Sequence, residues 1–148
     1  MVTSIVELDI DAPRDLVASL FADPRHSPRW MEDLERYEPI SGVPGDEGST
    51  YRLVPKRGWV FVATVLEKSL PEQLRLRLED SHCSVAISVT FVALADDRTR
   101  LVSAETFEFH GLWNTIVGFV AQTAIRRAHR RHMDAFKRFA EREHERTG

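Results

Sequence analysis

Residues 83–109 read CSVAISVTFVALADDRTRLVSAETFEF. Val85, Ile87, Val89 and Phe91 alternate with Ala86, Ser88 and Thr90, an apolar period of two. Successive side chains of a strand point to opposite faces, so this run predicts a strand with one face buried. Cys83 shares the inward parity. Asp96-Asp97 supplies turn chemistry. Beyond it Leu101, Ser103, Glu105, Phe107 and Phe109 again share one side. The two runs predict an antiparallel hairpin with one common core-facing side.

The same period extends upstream. Leu74, Leu76 and Leu78 alternate with Arg75, Arg77 and Glu79. Trp59, Phe61, Ala63 and Val65 form one face of an earlier strand, and Ser49, Tyr51 and Leu53 one face of the strand before that. The Gly- and Pro-containing segments 42–48 and 55–58 read as turns. At the start of the chain, Val6, Leu8 and Ile10 alternate with Glu7 and Asp9, a further half-buried strand. Asp11-Ala12-Pro13 ends it and opens a helix in which Leu16, Val17, Leu20 and Phe21 recur at helical spacing. Asp23-Pro24 and Ser27-Pro28 then predict a second, short helix through Trp30 and Met31.

Downstream, Gly111 to about Arg142 reads as one helix of roughly 45 Å. At about 100° per residue, Val117, Ala121, Ala124, Ile125, Ala128, His132, Ala135, Phe136 and Phe139 fall on one stripe. Arg126, Arg127, Arg130 and Arg131 fall opposite. His129 lies at the stripe's edge. Trp113, Ile116, Phe119 and Val120 lie off the stripe, so the first third of the helix is apolar nearly all round. Loops, a cavity lid or a second subunit would cover it. The element order predicts an α+β fold: a strand, two short helices, a six-stranded antiparallel meander and a long helix across the sheet.

Composition narrows the function classes. The chain has 148 residues, 43% of them hydrophobic, and a net charge of −3. That suits one domain over residues 1–148 and excludes disorder as the dominant state. The apolar run 111–125 contains Asn114 and Gln122 and is too short to span a bilayer. Glu7 and Asp9 argue against a secretory leader, so a cytoplasmic location is expected. The single cysteine, Cys83, makes no internal disulfide. A pI near 6.1 gives no global pull toward nucleic acid. The basic run Arg126–His132 reads as the solvated side of a helix or as an anionic-membrane or nucleic-acid face. The solvated side is favoured, because no aromatic residues are interleaved for base stacking.

The order of elements, with Asp11-Ala12-Pro13, Leu20-Phe21, Asp23-Pro24 and Trp30 at its start, resembles the START/Bet v 1-like helix-grip superfamily. Gly48-Ser49-Thr50-Tyr51-Arg52-Leu53, Thr99-Arg100-Leu101 with Phe107, and the closing Ala135-Phe136 and Phe139 extend the likeness across nearly the whole chain. The wording is closest to its bacterial polyketide cyclase/dehydrase-like branch. The resemblance implies a curved sheet gripping the long helix around an apolar cavity that takes a lipid, polyketide or aromatic molecule. The alternative it implies is a cyclase or dehydratase using the same cavity.

Inward parity then nominates the cavity wall. Tyr51, Trp59, Phe61 and Leu76 are expected from the first half of the meander, and Val85, Ile87, Val89 and Phe107 from the hairpin. Val117 and Ala121 are expected from the helix. Tyr51 and Glu105 are the expected polar anchors. Glu105 shares its side with Leu101, Phe107 and Phe109. A carboxylate there is either a satisfied polar group at the cavity mouth or, in the enzymatic reading, the acid/base with Tyr51 polarising a carbonyl. His129 and His132 lack a third ligand at suitable spacing and the HExxH motif is absent, so no metal site is expected. No cofactor is expected either: the P-loop ending is missing. Ser103 has no GxSxG elbow, and no histidine is placed by sequence to activate it. The expected partner is a hydrophobic small molecule, not nucleic acid, and the protein is expected to be a monomer or homodimer.

Overall fold

The alternation over residues 83–109 becomes β6 (Cys83–Ala95) and β7 (Arg98–Phe109), paired antiparallel from Cys83↔Phe109 to Ala95↔Arg98. A computed structural model of the chain describes residues 1–111 and 114–147. The other elements are β1 (Val2–Ile10), α1 (Arg14–Ala22), α2 (Ser27–Trp30), β2 (Leu34–Ser41), β3 (Thr50–Pro55), β4 (Phe61–Ser69), β5 (Gln73–Glu79) and α3 (Asn114–Thr147). A single 3-10 turn at Pro24–His26 joins α1 to α2. Asp23 starts it by accepting a hydrogen bond from the Arg25 backbone N–H at 3.0 Å.

All seven strands form one antiparallel, curved sheet in the order β1-β7-β6-β5-β4-β3-β2. β2 to β7 follow one another as a meander, and β1 closes onto β7 from Val2↔Phe107 to Ile10↔Thr99. Register shifts in β2 and between Val65 and Glu67 of β4 are bulges, which bend a strand and add twist. Trp59 stands just before β4 and not within it as its parity suggested, because Gly58 turns the chain there at φ 100°.

The helix α3 packs on β1 and β7, at one edge of the sheet. Its buried residues include His129, Met133, Phe136 and Ala140, a spacing of four, three and four. The stripe read from the sequence is therefore rotated. His129, expected at the edge, faces the sheet at 1% exposure; Val117 and Ala124 are exposed. The cause lies on the sheet, where Ser4 and Ser103 meet both ring nitrogens of His129. The helix also continues past Arg142 to Thr147.

One end of the interior is densely filled. Phe21 of α1, Trp30 of α2 and Phe136 of α3 meet with ring centroids 5.0–5.6 Å apart. Among the described residues no helix is long and apolar enough to cross a membrane. Trp113, expected to extend the apolar start of α3, lies outside the described residues.

Candidate functional site

Because α3 lies over the β1–β7 edge, the middle strands curl past it and leave a space. This is a cavity of about 350 Å³. Its floor is two cross-strand rows. Leu78, Val85 and Phe107 pair across β5, β6 and β7, and so do Leu76, Ile87 and Glu105. Tyr51 and Leu53 of β3 and Phe61 of β4 form the far wall. Phe21, Trp30, Met31 and Met133 form the roof. The next rows, Leu74–Val89–Ser103 and Phe91–Leu101, belong to the filled core.

Eight positions expected from parity thus surround one cavity: Tyr51, Trp59, Phe61, Leu76, Val85, Ile87, Glu105 and Phe107. Three do not. Val89 has the right parity but is 0% exposed within the core cluster, one row too far along the strand. Val117 is 39% exposed and Ala121 half-buried, because this part of α3 passes over the sheet edge. A Cβ placed on neighbouring Gly118 would lie 3.6 Å from Val2.

Glu105 is the one carboxylate on the cavity floor. Its side chain is 16% exposed, and no hydrogen bond reaches it among the described residues. Burial pushes its carboxyl from 4.5 up to about 7. A desolvated carboxylate loses hydration that an apolar wall does not replace, so the neutral acid is favoured. Tyr51 is likewise buried, and loss of water raises its phenol to about 12. At neutral pH the cavity therefore offers a phenolic O–H and a carboxyl poised between donor and acceptor.

Behind Glu105 stands His129. Its Nδ1 is 2.8 Å from Ser4 Oγ and its Nε2 2.9 Å from Ser103 Oγ, while Glu105 Oε2 lies 3.8 Å from Nε2. Burial, with His132 nearby as a smaller cause, lowers the imidazole to about 4. It is neutral at physiological pH, one nitrogen donating and the other accepting. A histidine does reach Ser103, contrary to the sequence expectation. Ser103 is nonetheless 0% exposed and off the cavity wall, so its hydroxyl meets no ligand.

The mouth carries the polar residues that strand parity missed. Arg57 lies in the turn before β4, and Asp33 precedes β2. His132 of α3 lies on the wall too, with its Nε2 3.6 Å from Asp33 Oδ2. Trp59 stacks on His82 with centroids 4.1 Å apart. Only the Pro-Lys-Arg-Gly turn hinted at Arg57, and a turn reads first as solvated. Cys83 is buried, and burial with Asp80 nearby holds its thiol up at about 11, so it packs as an inert group. Among the described residues no three His, Cys, Asp or Glu side chains cluster as metal ligands.

A family model described as polyketide cyclase/dehydrase and lipid transport matches residues 1–141. Among solved structures, a START superfamily protein from Mycobacterium smegmatis is 15% identical with a TM-score of 0.75, over 99% of each chain. A truncated norcoclaurine synthase from Thalictrum flavum is 16% identical with a TM-score of 0.69, over 93% of each chain. The same synthase in complex with dopamine and hydroxybenzaldehyde is 15% identical with a TM-score of 0.66, over 93% of this chain and 86% of that one. At these identities the shared property is the fold. No curated protein matches the sequence significantly.

Proposed function

The chain belongs to the polyketide cyclase/dehydrase and lipid transport family, and we propose that it binds a hydrophobic small molecule in the cavity between sheet and helices. The observation that carries this reading is the cavity itself, about 350 Å³ with apolar walls and few convergent polar groups. That size falls in the roughly 300–1,000 Å³ range of small-molecule sites. Phe61, Leu76, Val85, Ile87 and Phe107 supply the apolar contact, Trp59 a ring at the mouth, and Tyr51 and Glu105 the polar anchors. An aromatic or polyketide-like compound with oxygen functions facing Glu105 and Tyr51 uses both.

A fluorescent apolar dye, 1-anilinonaphthalene-8-sulfonate, tests the site. Ile87→Trp adds volume into the cavity from a half-buried position. Dye affinity falls at least about tenfold, as expected for loss of a well-filled apolar pocket, while circular dichroism stays native. Unchanged affinity in the folded variant refutes the assignment.

The position of Glu105 favours a second reading, cyclase or dehydratase chemistry, since a carboxyl near 7 inside a cavity suits proton transfer at neutral pH. Glu105→Gln then leaves dye binding within a few-fold and lowers any turnover of a polyketide-like substrate on the order of 10²–10⁴-fold.

A further inference from the structure

The exposed face of α3 joins two features that were separate in the sequence. Ile116 is 56% exposed, Phe119 80% and Val120 73%. They point away from the sheet, because Gly118 on the opposite side is buried against Val2 and Phe109. Continuing along the same face come Arg126, Arg127, Arg130 and Arg131, all exposed. At about 100° per residue, Ile116 through Arg131 keep within an arc of roughly 140°, over about 22 Å of helix.

Two of the four charges on this ridge are spent only on exposed pairs and two are unspent. Arg130 meets Asp134 at 3.2 Å and Arg131 meets Asp33 at 3.6 Å, both in solvent. Among the described residues Arg126 and Arg127 have no acidic partner within ion-pair distance. An apolar, aromatic-bearing turn followed along one face by four guanidinium groups offers both attractions that hold a protein on an anionic membrane surface, buried apolar area and charge. The apolar turn enters the acyl boundary and the arginines meet anionic headgroups.

The turn of α3 that carries the apolar end of the ridge is joined to the cavity floor from its other side. Phe109, under the Gly118 turn, stacks on Phe107 with centroids 6.3 Å apart, and Phe107 is cavity floor. We infer that this face of α3 docks the protein on an anionic phospholipid surface, with Ile116, Phe119 and Val120 inserted and Arg126, Arg127, Arg130 and Arg131 against the headgroups. A second copy of the chain is a poorer occupant. It would bring the same four arginines into a low-dielectric interface without an equal number of acids on this face.

Co-sedimentation of the full chain with vesicles tests the assignment, comparing pure phosphatidylcholine with phosphatidylcholine containing about one-third phosphatidylglycerol. Binding is expected to the anionic vesicles only, and to weaken in high salt. Phe119→Asp with Val120→Asp abolishes it. Arg126→Gln with Arg127→Gln lowers partitioning roughly 30-fold, about fivefold for each charge lost. All four positions are exposed, so both variants keep the native circular dichroism and the dye binding of the cavity, which separates this test from that of the cavity. No binding of the native chain to anionic vesicles overturns the proposal, as does equal binding by either variant. A concentration-dependent dimer that dissociates with Phe119→Asp, without vesicle binding, assigns the face to a second copy instead.

Discussion

The two ends of the interior are built on the same strands and differ in what lies above them. At one end Val89, Phe91 and Leu101 are 0–1% exposed, in one core cluster with Phe136 and with Phe21 and Trp30 packed onto it. At the other, Ile87, Glu105 and Phe107 stand two to six residues away on β6 and β7 with the same parity and look into a cavity. The strands therefore do not decide which end is hollow. The placement of α3 over β1 and β7 decides it, with Phe21 and Trp30 packed against Phe136 of the filled end and roofing the cavity on their other side. In this architecture a binding space arises beyond the ring cluster of Phe21, Trp30 and Phe136, with no change in the pattern of the sheet.

Truncating an aromatic ring at each end breaks the comparison most strongly. Phe136 is 0% exposed and lies within about one ring's reach of Phe21 and Trp30, at 5.0 and 5.1 Å. Phe136→Ala removes a packed ring and leaves a new void, costing about 3–5 kcal/mol. Phe107→Ala only widens a space that already exists, so it loses the transfer of a half-buried ring, about 1–2 kcal/mol. Urea unfolding of both variants checks this. Equal losses mean that the space above Phe107 is filled in solution and the hollow end does not exist.

The alternation of the strands was enough to read the sheet, its antiparallel order and the inward side of Glu105. A one-residue slip would have put Leu101, Phe107 and Phe109 in water, so the parity was strongly specified. Position along the strand was not legible. Val89 and Ile87 have the same pattern in the sequence, and only the aromatic residues of distant helices tell them apart. The helix was misread for a similar reason. The choice between His129 and His132 depends on Ser4, 125 residues away, and on Ser103, 26 residues away. A helical wheel averages over apolar residues and carries no information about two hydroxyls on a sheet. Arg57 and Asp33 escaped because they reach the cavity from turns, where residue type alone reads as solvated, and His132, read as part of the core stripe, reaches the cavity wall because the helix is rotated.

The border between the two ends is marked by a pair of titrating groups, and pH sharpens the comparison there with a somewhat smaller effect. Glu105 on the hollow side rises from 4.5 to about 7 on folding. The folded state thus holds a proton that the unfolded chain releases, and stability falls as pH rises between those values. The ceiling of this loss is on the order of 3 kcal/mol. His129 on the filled side drops from 6.5 to about 4, so here the unfolded chain holds the proton and stability falls as pH decreases through that window, by a similar amount. Between about 4.5 and 6.5 the two slopes oppose each other, because folded and unfolded states then carry one proton across the pair. Glu105→Gln removes one slope. Relative to the native chain it gains stability as pH rises from 4.5 to 7, reaching on the order of 3 kcal/mol at pH 8. His129→Gln removes the other, so its stability relative to the native chain improves toward pH 4, apart from a constant loss of the Ser4 and Ser103 contacts. His132, 29% exposed at the cavity rim, is also lowered by burial and keeps its own slope in all three proteins, which is why the differences and not the raw curves are compared. Chemical denaturation from pH 4 to 8 measures them. Curves that stay parallel for Glu105→Gln and the native chain would show a solvated carboxylate, and with it a cavity floor open to water.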